Sequence, residues 1–389
     1  MIAPHAGTDE GPHMAKAVVL GAGMVGSVIA ADLARQGFDT TVADRSEANL
    51  ASAAGRAAVK TVRADLSDAA SIRRVVEPAD IVCGALSSRL GFGALRAVIE
   101  AGKPYVDISF MEEDFTELDA LAKARGVTVV TDMGVAPGMS HLLAAHGART
   151  LDRCDVIEIY VGGLPRVRTW PYDYKAAFAP ADVLEEYTRP ARLVEHGKVV
   201  VRPALSEPEL MDIPGVGTLE AFNTDGLRSL CASLPVPFMK EKTWRYPGHI
   251  ELMRAMRETG LFSKEAIRVG GVEVRPLDVT SALLFPKWTY GPGEEDLTVM
   301  RIVARGARGG KAATLQWDLL DFYHAPTRAS SMSRTTGFPC AIVAGLIHAG
   351  NYRHPGVNPP ERLAEHAGLV EGVLAEHAAR GITYTASRT

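Results

Sequence analysis

From residue 16 onward the hydrophobic pattern changes period in a regular way. Ala17-Val18-Val19-Leu20 is a continuous apolar run of strand length, and a glycine cluster follows it. Apolar residues then recur at Val25, Ile29 and Leu33, the spacing of one helix face, until Gly37 stops the helix begun near Met24. Thr40-Thr41-Val42-Ala43 returns to a strand and ends on Asp44. The alternation continues with strands over 58–62, 80–85, 105–109 and 127–131, and with helices over Leu90–Ala101 and Glu113–Arg125. Apolar strands separated by helical patterns predict a parallel sheet with helices on both faces.

Beyond Asp155 the period is different. Residues 155–163 alternate polar and apolar, as a half-buried antiparallel strand does, and similar runs recur at 197–201, 218–222, 242–246, 297–305 and 313–322. The last two, joined through Gly306 to Lys311, form a hairpin with a glycine-containing loop. Shorter helices fall at 180–187 and 249–259, and two more at 338–349 and 360–380. The fold class is therefore α/β: a doubly wound parallel sheet of the Rossmann type over 14–138, then an α+β domain with a mostly antiparallel sheet over 139–330. Residues 331–389 are expected to pack helices back on the first domain, and residues 1–13 read as a disordered extension.

The glycine cluster carries the first chemistry. Gly21-Ala22-Gly23-Met24-Val25-Gly26 is a GxGxxG pattern between a strand and a helix. Gly21 permits the tight turn, Gly23 lets a pyrophosphate approach free N–H groups at the helix start, and Gly26 lets helix and strand pack closely. Asp44 stands near the ~20-residue offset at which an acid meets the adenosine ribose hydroxyls. It would repel a 2′-phosphate and so favours NAD over NADP, while Arg45 beside it offsets part of that repulsion. Asp65-Leu66, at the end of the third strand, reaches the adenine amino group or caps the next helix. Ala85-Leu86-Ser87, at the carboxyl end of the fourth strand, is expected beside the nicotinamide. Asp132, after the sixth strand, either faces that crevice or caps a turn, and Pro137-Gly138 opens a helix whose free N–H groups suit a carboxylate or phosphate.

Composition narrows the partners. With 389 residues, 47% hydrophobic and 23% charged, the chain has room for two domains, and its formal charge of -4 argues against nucleic acid or an anionic membrane. No apolar run approaches the ~18–20 residues of a membrane span. Four cysteines stand singly and eleven histidines form no HExxH cluster, so neither a disulfide framework nor a metal is expected, and a cytoplasmic setting follows.

Six stretches together resemble the saccharopine dehydrogenase family: Gly21–Gly26, Ala43-Asp44-Arg45, Asp132–Ser140, Leu219–Gly226, Trp244–His249 and Ser331–Pro339. The short chain and the stretch Tyr160–Pro165 are most similar to its L-lysine 6-dehydrogenase branch. The resemblance implies hydride transfer from an amine-bearing carbon to a nicotinamide, with oxidative deamination of the lysine ε-amine to a semialdehyde as the leading reading. The alternatives are a reductase that forms or cleaves saccharopine or a carboxylated polyamine, and a dinucleotide-binding protein without catalysis. The amine must be neutral before hydride leaves, so a base is needed. The candidates are Asp107 and Asp132 at the sheet edge, His249, which otherwise caps its helix, and Lys175, which acts as base only if desolvated. Arg245 is the candidate carboxylate ligand, with Asn223 and Thr224 adding neutral hydrogen bonds and Tyr174 beside the substrate. Arg166, Arg168 and Arg228 are available for a second carboxylate. A homodimer or higher homo-oligomer is expected, because antiparallel sheet edges tend to be covered by association.

Overall fold

The computed structural model describes residues 14–291 and 293–389; the extension expected over 1–13 lies outside them. The first layer is built from β1 (Lys16–Leu20), α1 (Met24–Arg35), β2 (Asp39–Asp44), α2 (Glu47–Arg56), β3 (Lys60–Arg63), α3 (Ala69–Val76) and β4 (Ile81–Gly84). It continues through α4 (Ser88–Glu100), β5 (Tyr105–Asp107), a 3-10 turn at Phe115–Leu118, α5 (Asp119–Ala124) and β6 (Thr128–Val130). Local chemistry fixes the helix starts. Ser46 accepts the Asn49 N–H ahead of α2, and Asp68 accepts the N–H groups of Ala70 and Ser71 ahead of α3.

α6 (Met139–Thr150) leads into the second domain, which holds β7 (Arg153–Pro165), α7 (Pro180–Thr188), β8 (Ala191–Glu195), β9 (Lys198–Arg202), β10 (Glu209–Ile213) and β11 (Gly217–Asn223). Then come α8 (Leu230–Ser233), β12 (Phe238–Arg245), α9 (His249–Glu258), the small hairpin β13 (Ile267–Val269) and β14 (Val272–Val274), and α10 (Pro276–Trp288). The chain closes with β15 (Asp296–Arg308), β16 (Lys311–Phe322), α11 (Ser331–His348), β17 (Gly356–Asn358), a 3-10 segment at Pro360–Glu365, α12 (Leu369–Ala379) and β18 (Tyr384–Arg388).

The first sheet has seven strands in the order β17-β6-β5-β4-β1-β2-β3, all parallel. Strand order reverses between β1 and β4, and a ligand crevice opens at that point, outside the carboxyl ends of the strands. The second sheet is mixed. β12 and β7 pair in parallel at its centre, and antiparallel strands flank them.

Several boundaries moved for physical reasons. β3 starts two residues later than expected and is exposed on both faces, so no buried pattern marks its ends. The helix expected at 113–125 is a 3-10 turn followed by a short α5, because Asp114 caps the turn through the Thr116 N–H. The β15–β16 strands run up to a two-residue Gly309-Gly310 turn, both residues at positive φ, so the loop is tighter than the 306–311 expected. The helix read at 360–380 breaks at Gly368, which takes φ +77°.

α11 begins at Ser331, seven residues earlier than expected, because Ser330 caps it; it packs along α1, with Gly337 close against Val25 and Ile29. The C-terminal segment is more than helical: β17 is the seventh strand of the parallel sheet, and β18 pairs with β16 in the mixed sheet. The final stretch thus ties both domains together. Among the described residues no helix is long and apolar enough to cross a membrane.

Candidate active site

A cavity of about 480 Å³ lies between the domains, at the switch point of the parallel sheet. One wall is the glycine turn. Gly21 takes φ +101°, and a Cβ there would collide with the Ala85 carbonyl; a Cβ on Gly26 would collide with the Gly21 carbonyl. Gly23 is the opposite case: among the described residues, its chain neighbours aside, nothing lies within 4 Å of where its Cβ would be, and no side chain caps the α1 N-terminus there. This turn is closed beneath and open above, which fits a pyrophosphate held by the first N–H groups of α1. Gly23, Met24, Val25 and Gly26 line the cavity, as do Ala85, Leu86 and Ser87. Asp44 is bonded to the turn itself: Oδ2 accepts the Ala22 N–H and Oδ1 the Ser46 N–H, both at 2.8 Å. Its carboxylate is thereby aimed from the end of β2, and Arg45 next to it is exposed.

Asp65 and Leu66 behave differently from expectation. Asp65 neither caps the helix nor reaches the cavity; it closes its own turn through the Ser67 N–H and hydroxyl, and Asp68 is the cap. Leu66 is a core residue packed with α3 and α4. The start of α6 is likewise spent, since the Met139 and Ser140 N–H groups donate to the Gly134 and Val135 carbonyls. It is not a free anion site.

The opposite wall comes from β12, α7 and the loop after β11. Alternate β12 residues Glu241, Thr243 and Arg245 share one face and all line the cavity, joined by Thr224, Asp225 and Gly226 from the loop. α7 contributes Asp182, Glu185 and Glu186, one acidic face at helical spacing, and Arg189 follows at its end. Ser88 of the first domain bonds Asp182 at 2.7 Å across the cleft.

Arg245 is almost fully buried yet reaches the cavity. Its Nη2 donates to Glu186 Oε2 at 2.6 Å, Nε to the Tyr187 hydroxyl at 3.1 Å, and Nη1 to the Trp244 carbonyl at 3.0 Å. The guanidinium lies 4.5 Å from the Tyr174 ring centre, a cation–π contact. Burial pushes the Glu186 carboxyl up, and Arg245 opposes that. Glu241 accepts a hydrogen bond from the Thr224 hydroxyl, which also lies 2.9 Å from that of Thr243.

The other expected residues lie outside this cavity's walls. Tyr174 is buried behind Arg245 and supports it. His249 is also buried: Nδ1 faces the Tyr172 carbonyl at 2.8 Å and Nε2 the Tyr187 hydroxyl at 2.9 Å. Burial, reinforced by Arg245, holds it down at about 3, so it is a neutral strut at neutral pH. Asn223 turns its amide to Ser206. Lys175 is ion-paired with Glu294 and sits 3.4 Å from the Thr289 carbonyl, far from the desolvated base it would have to be.

Asp107 is enclosed at the end of β5, where it accepts from Ser109 at 2.9 Å and Tyr105 at 3.1 Å; burial pushes it up to about 7. Asp132 takes φ +54° and pairs with buried Arg228 at 2.5 Å, a link between the domains, while burial raises its carboxyl against that pairing. Arg228 also packs over the Phe110 ring at 4.5 Å. Arg166 and Arg168 are engaged with Glu295 and Asp173.

Sequence reasoning passed over Glu241, Glu186, Asp182, Glu185, Asp225 and Arg189. The β12 strand was read as starting at Lys242, one residue too late to include Glu241. Extending it backward from Arg245 at period two would have placed Glu241 and Thr243 on the arginine's face.

A Rossmann-type sheet, an open glycine turn at its switch point and a charged second wall define a dinucleotide-binding oxidoreductase architecture. The family profiles agree: residues 17–130 match the saccharopine dehydrogenase NADP binding domain and residues 134–382 the saccharopine dehydrogenase C-terminal domain. The chain belongs to the saccharopine dehydrogenase family and carries its NADP-binding and C-terminal domains.

It is 25% identical over 393 residues to the mitochondrial alpha-aminoadipic semialdehyde synthase of Mus musculus, covering 82% of this chain and only 42% of that protein. It is 25% identical over 387 residues to the carboxynorspermidine synthase of Vibrio cholerae, covering 88% of this chain and 91% of that one. Apo saccharopine dehydrogenase (L-Glu forming) from Saccharomyces cerevisiae shares the fold, with a TM-score of 0.80 at 19% identity, over 96% of this chain and 100% of the yeast chain.

Proposed function

We propose that the protein is an NAD-dependent amine dehydrogenase that oxidises the ε-amine of L-lysine to the semialdehyde and releases ammonia. One observation carries this reading: the cavity is lined by five carboxylates, Asp182, Glu185, Glu186, Asp225 and Glu241, and by two cations, Arg245 deep and Arg189 at the side; with Asp225 paired to Arg192 and Glu185 to Lys264 from outside the lining, the wall keeps an excess of acid in Asp182, Glu186 and Glu241. Such a wall suits a substrate with one carboxylate and more than one amine. Saccharopine carries three carboxylates, and the arginines that would answer the others, Arg166, Arg168 and Arg228, are engaged elsewhere.

The roles follow from the geometry. The Gly21–Gly26 turn holds the pyrophosphate and Asp44 the ribose; Asp44 favours NAD, because its fixed carboxylate would repel a 2′-phosphate. The bound dinucleotide supplies a hydride acceptor. Arg245 takes the substrate carboxylate in place of Glu186, and the Tyr187, Trp244 and Tyr174 contacts keep the guanidinium from following Glu186 when that exchange occurs. A homodimer that covers the sheet edges belongs to the same proposal.

A second reading, C–N bond formation between a diamine and an amino-acid semialdehyde, is favoured by Arg189 as a second cation on the wall. The test is absorbance at 340 nm with NAD and with NADP, using L-lysine, ornithine, saccharopine and diamines, and in reverse with NADH, L-lysine or a diamine, and an oxo acid or an amino-acid semialdehyde. Turnover of L-lysine alone, preferring NAD, is the expected result. NADH oxidation only when an aldehyde or oxo acid accompanies the amine would replace it with the second reading.

A further inference from the structure

Glu241 stands apart from the other carboxylates of the cleft. It is 4% exposed, yet it lines the cavity from the middle of β12. Its carboxyl accepts from the Thr224 hydroxyl and from the backbone of Gly226, which packs so closely that a Cβ there would strike the carboxyl group. The charged groups facing it are Glu186 from α7 and Asp225 from the loop after β11, both acidic. Asp225 is answered by Arg192 of β8, at 2.8 and 2.9 Å, and Glu186 by Arg245. Among the described residues no cation pairs with Glu241 itself. A buried carboxyl that opens on a cleft without a counter-charge holds its proton at neutral pH and ionises most readily against a cation that enters the cleft.

Arg245 lies four residues along the same strand face, about 13 Å away by the strand rise. A substrate whose carboxylate rests on Arg245 therefore extends its distal amine along β12 toward Glu241.

We propose that Glu241 is the residue that receives the substrate's reacting ammonium and takes its proton, an inference that rests on the amine dehydrogenase reading above. In this step an N–H bond breaks, its electron pair stays on nitrogen, and an O–H bond forms on Glu241. The neutral amine then gives hydride from the adjacent carbon to the oxidised nicotinamide, and water converts the resulting iminium to aldehyde and ammonium. The balance is one substrate ammonium, one oxidised dinucleotide and one water in; one aldehyde, one ammonium, one reduced dinucleotide and one proton out. That proton is the one Glu241 holds and returns to solvent. Burial, with Glu186 and Asp225 adding to it and Thr224 opposing it, pushes the Glu241 carboxyl up to about 8, close enough to an alkyl ammonium for transfer in either direction.

Glu241→Gln keeps the volume and a partner for Thr224. The expected result with L-lysine and NAD is a fall in kcat of about 10²–10⁴-fold, loss of the limb over which kcat/KM rises with pH toward about 8, and weaker L-lysine binding to the NADH complex by calorimetry. NADH affinity, read by fluorescence, stays unchanged and reports an intact fold, and Glu241→Asp recovers part of kcat. Thr224→Val provides an independent arm: removing the hydroxyl that lowers the Glu241 carboxyl moves the acid limb to higher pH. A Glu241→Gln enzyme with kcat within threefold of wild type, or a Thr224→Val limb that stays in place, overturns the inference and leaves the amine dehydrogenase reading standing. Wild-type protein that binds NADH and turns over no amine overturns both.

Discussion

The molecule buries two sets of carboxylates within reach of the same crevice, and they do opposite work. Asp107 and Asp132 lie at strand ends of the parallel sheet, where ligands of such sheets usually lie, yet both are enclosed and answered on one oxygen: Asp107 Oδ1 by two hydroxyls and Asp132 Oδ2 by Arg228, while among the described residues the other oxygen of each is buried without a partner. Glu186 and Glu241 belong to the second domain, away from any strand end of the first sheet, and they form the cavity wall. The topological rule locates the crevice correctly and says little about which acids face it. A side chain one residue nearer the sheet is covered by the loop that follows; β5 delivers Ile108 to the cavity and keeps Asp107 beneath.

The strongest way to break this contrast is at Asp132. Asp132→Ala leaves Arg228 buried without its partner, at an expected cost of about 3–5 kcal/mol in urea unfolding. If the residue is structural, the surviving folded fraction keeps near-normal kcat; a stable variant with no activity would return Asp132 to the catalytic set.

The next largest effect is in the pH dependence of stability. Asp107 stands at about 7 in the fold against 3.8 as its ordinary value. The folded protein therefore holds this proton when the unfolded chain has lost it. The stabilisation is complete below about pH 4 and is lost as pH rises to about 7, a change on the order of a few kcal/mol. Glu241 acts in the same direction, from its ordinary range up to about 8. Asp107→Asn is expected to flatten the fall in unfolding free energy between pH 4 and 7 and to leave the part nearer pH 8. An unaltered slope in the variant would mean that Asp107 is already ionised in the fold.

Arg245 sharpens the other side of the comparison. Arg245→Met removes a charge-assisted hydrogen bond worth about 1.5–3 kcal/mol, so KM for L-lysine is expected to rise roughly 10- to 100-fold. KM for a diamine without a carboxylate is expected to change far less. Equal losses for both substrates would show that Arg245 only holds Glu186 and Tyr187 in place.

How far the sequence carried the site follows from the range of the interactions that built it. The glycine turn and Ala85-Leu86-Ser87 were legible as cavity wall, and Asp44 as the acid ending β2, because a local strand, turn and helix define each of these places, and sterics at Gly21 and Gly26 leave little freedom. Arg245 was legible as a charged residue at a strand end, but its supports were not. Tyr174, Tyr187 and Glu186 meet it from α7 and the loop before it, contacts that span up to seventy-one residues of chain, and His249 joins them only through the Tyr187 hydroxyl. The seventh parallel strand and β18 were missed for a related reason. Each is a short C-terminal segment whose partner lies far back in the sequence, Thr128–Val130 for one and Leu315–Leu319 for the other. Short strands carry too few residues for periodicity to declare them.

Lys175 gives the smallest effect and the plainest discrimination between proximity in sequence and proximity in space. It follows Tyr174, whose ring supports Arg245, and so looks like part of the substrate wall. Its ammonium instead pairs with Glu294, a partly exposed carboxylate ahead of β15, and faces the Thr289 carbonyl at the end of α10. A lysine whose side chain is paired with a carboxylate and does not line the cavity is not placed to meet a substrate amine there. Lys175→Ala is therefore expected to change kcat and KM by less than twofold and stability by about 1 kcal/mol or less, the range of a surface ion pair. A pH profile with the acid limb in the wild-type position would leave Glu241 as its source; a limb that vanishes with Lys175 would move the base to the tyrosine-lined side of the cleft.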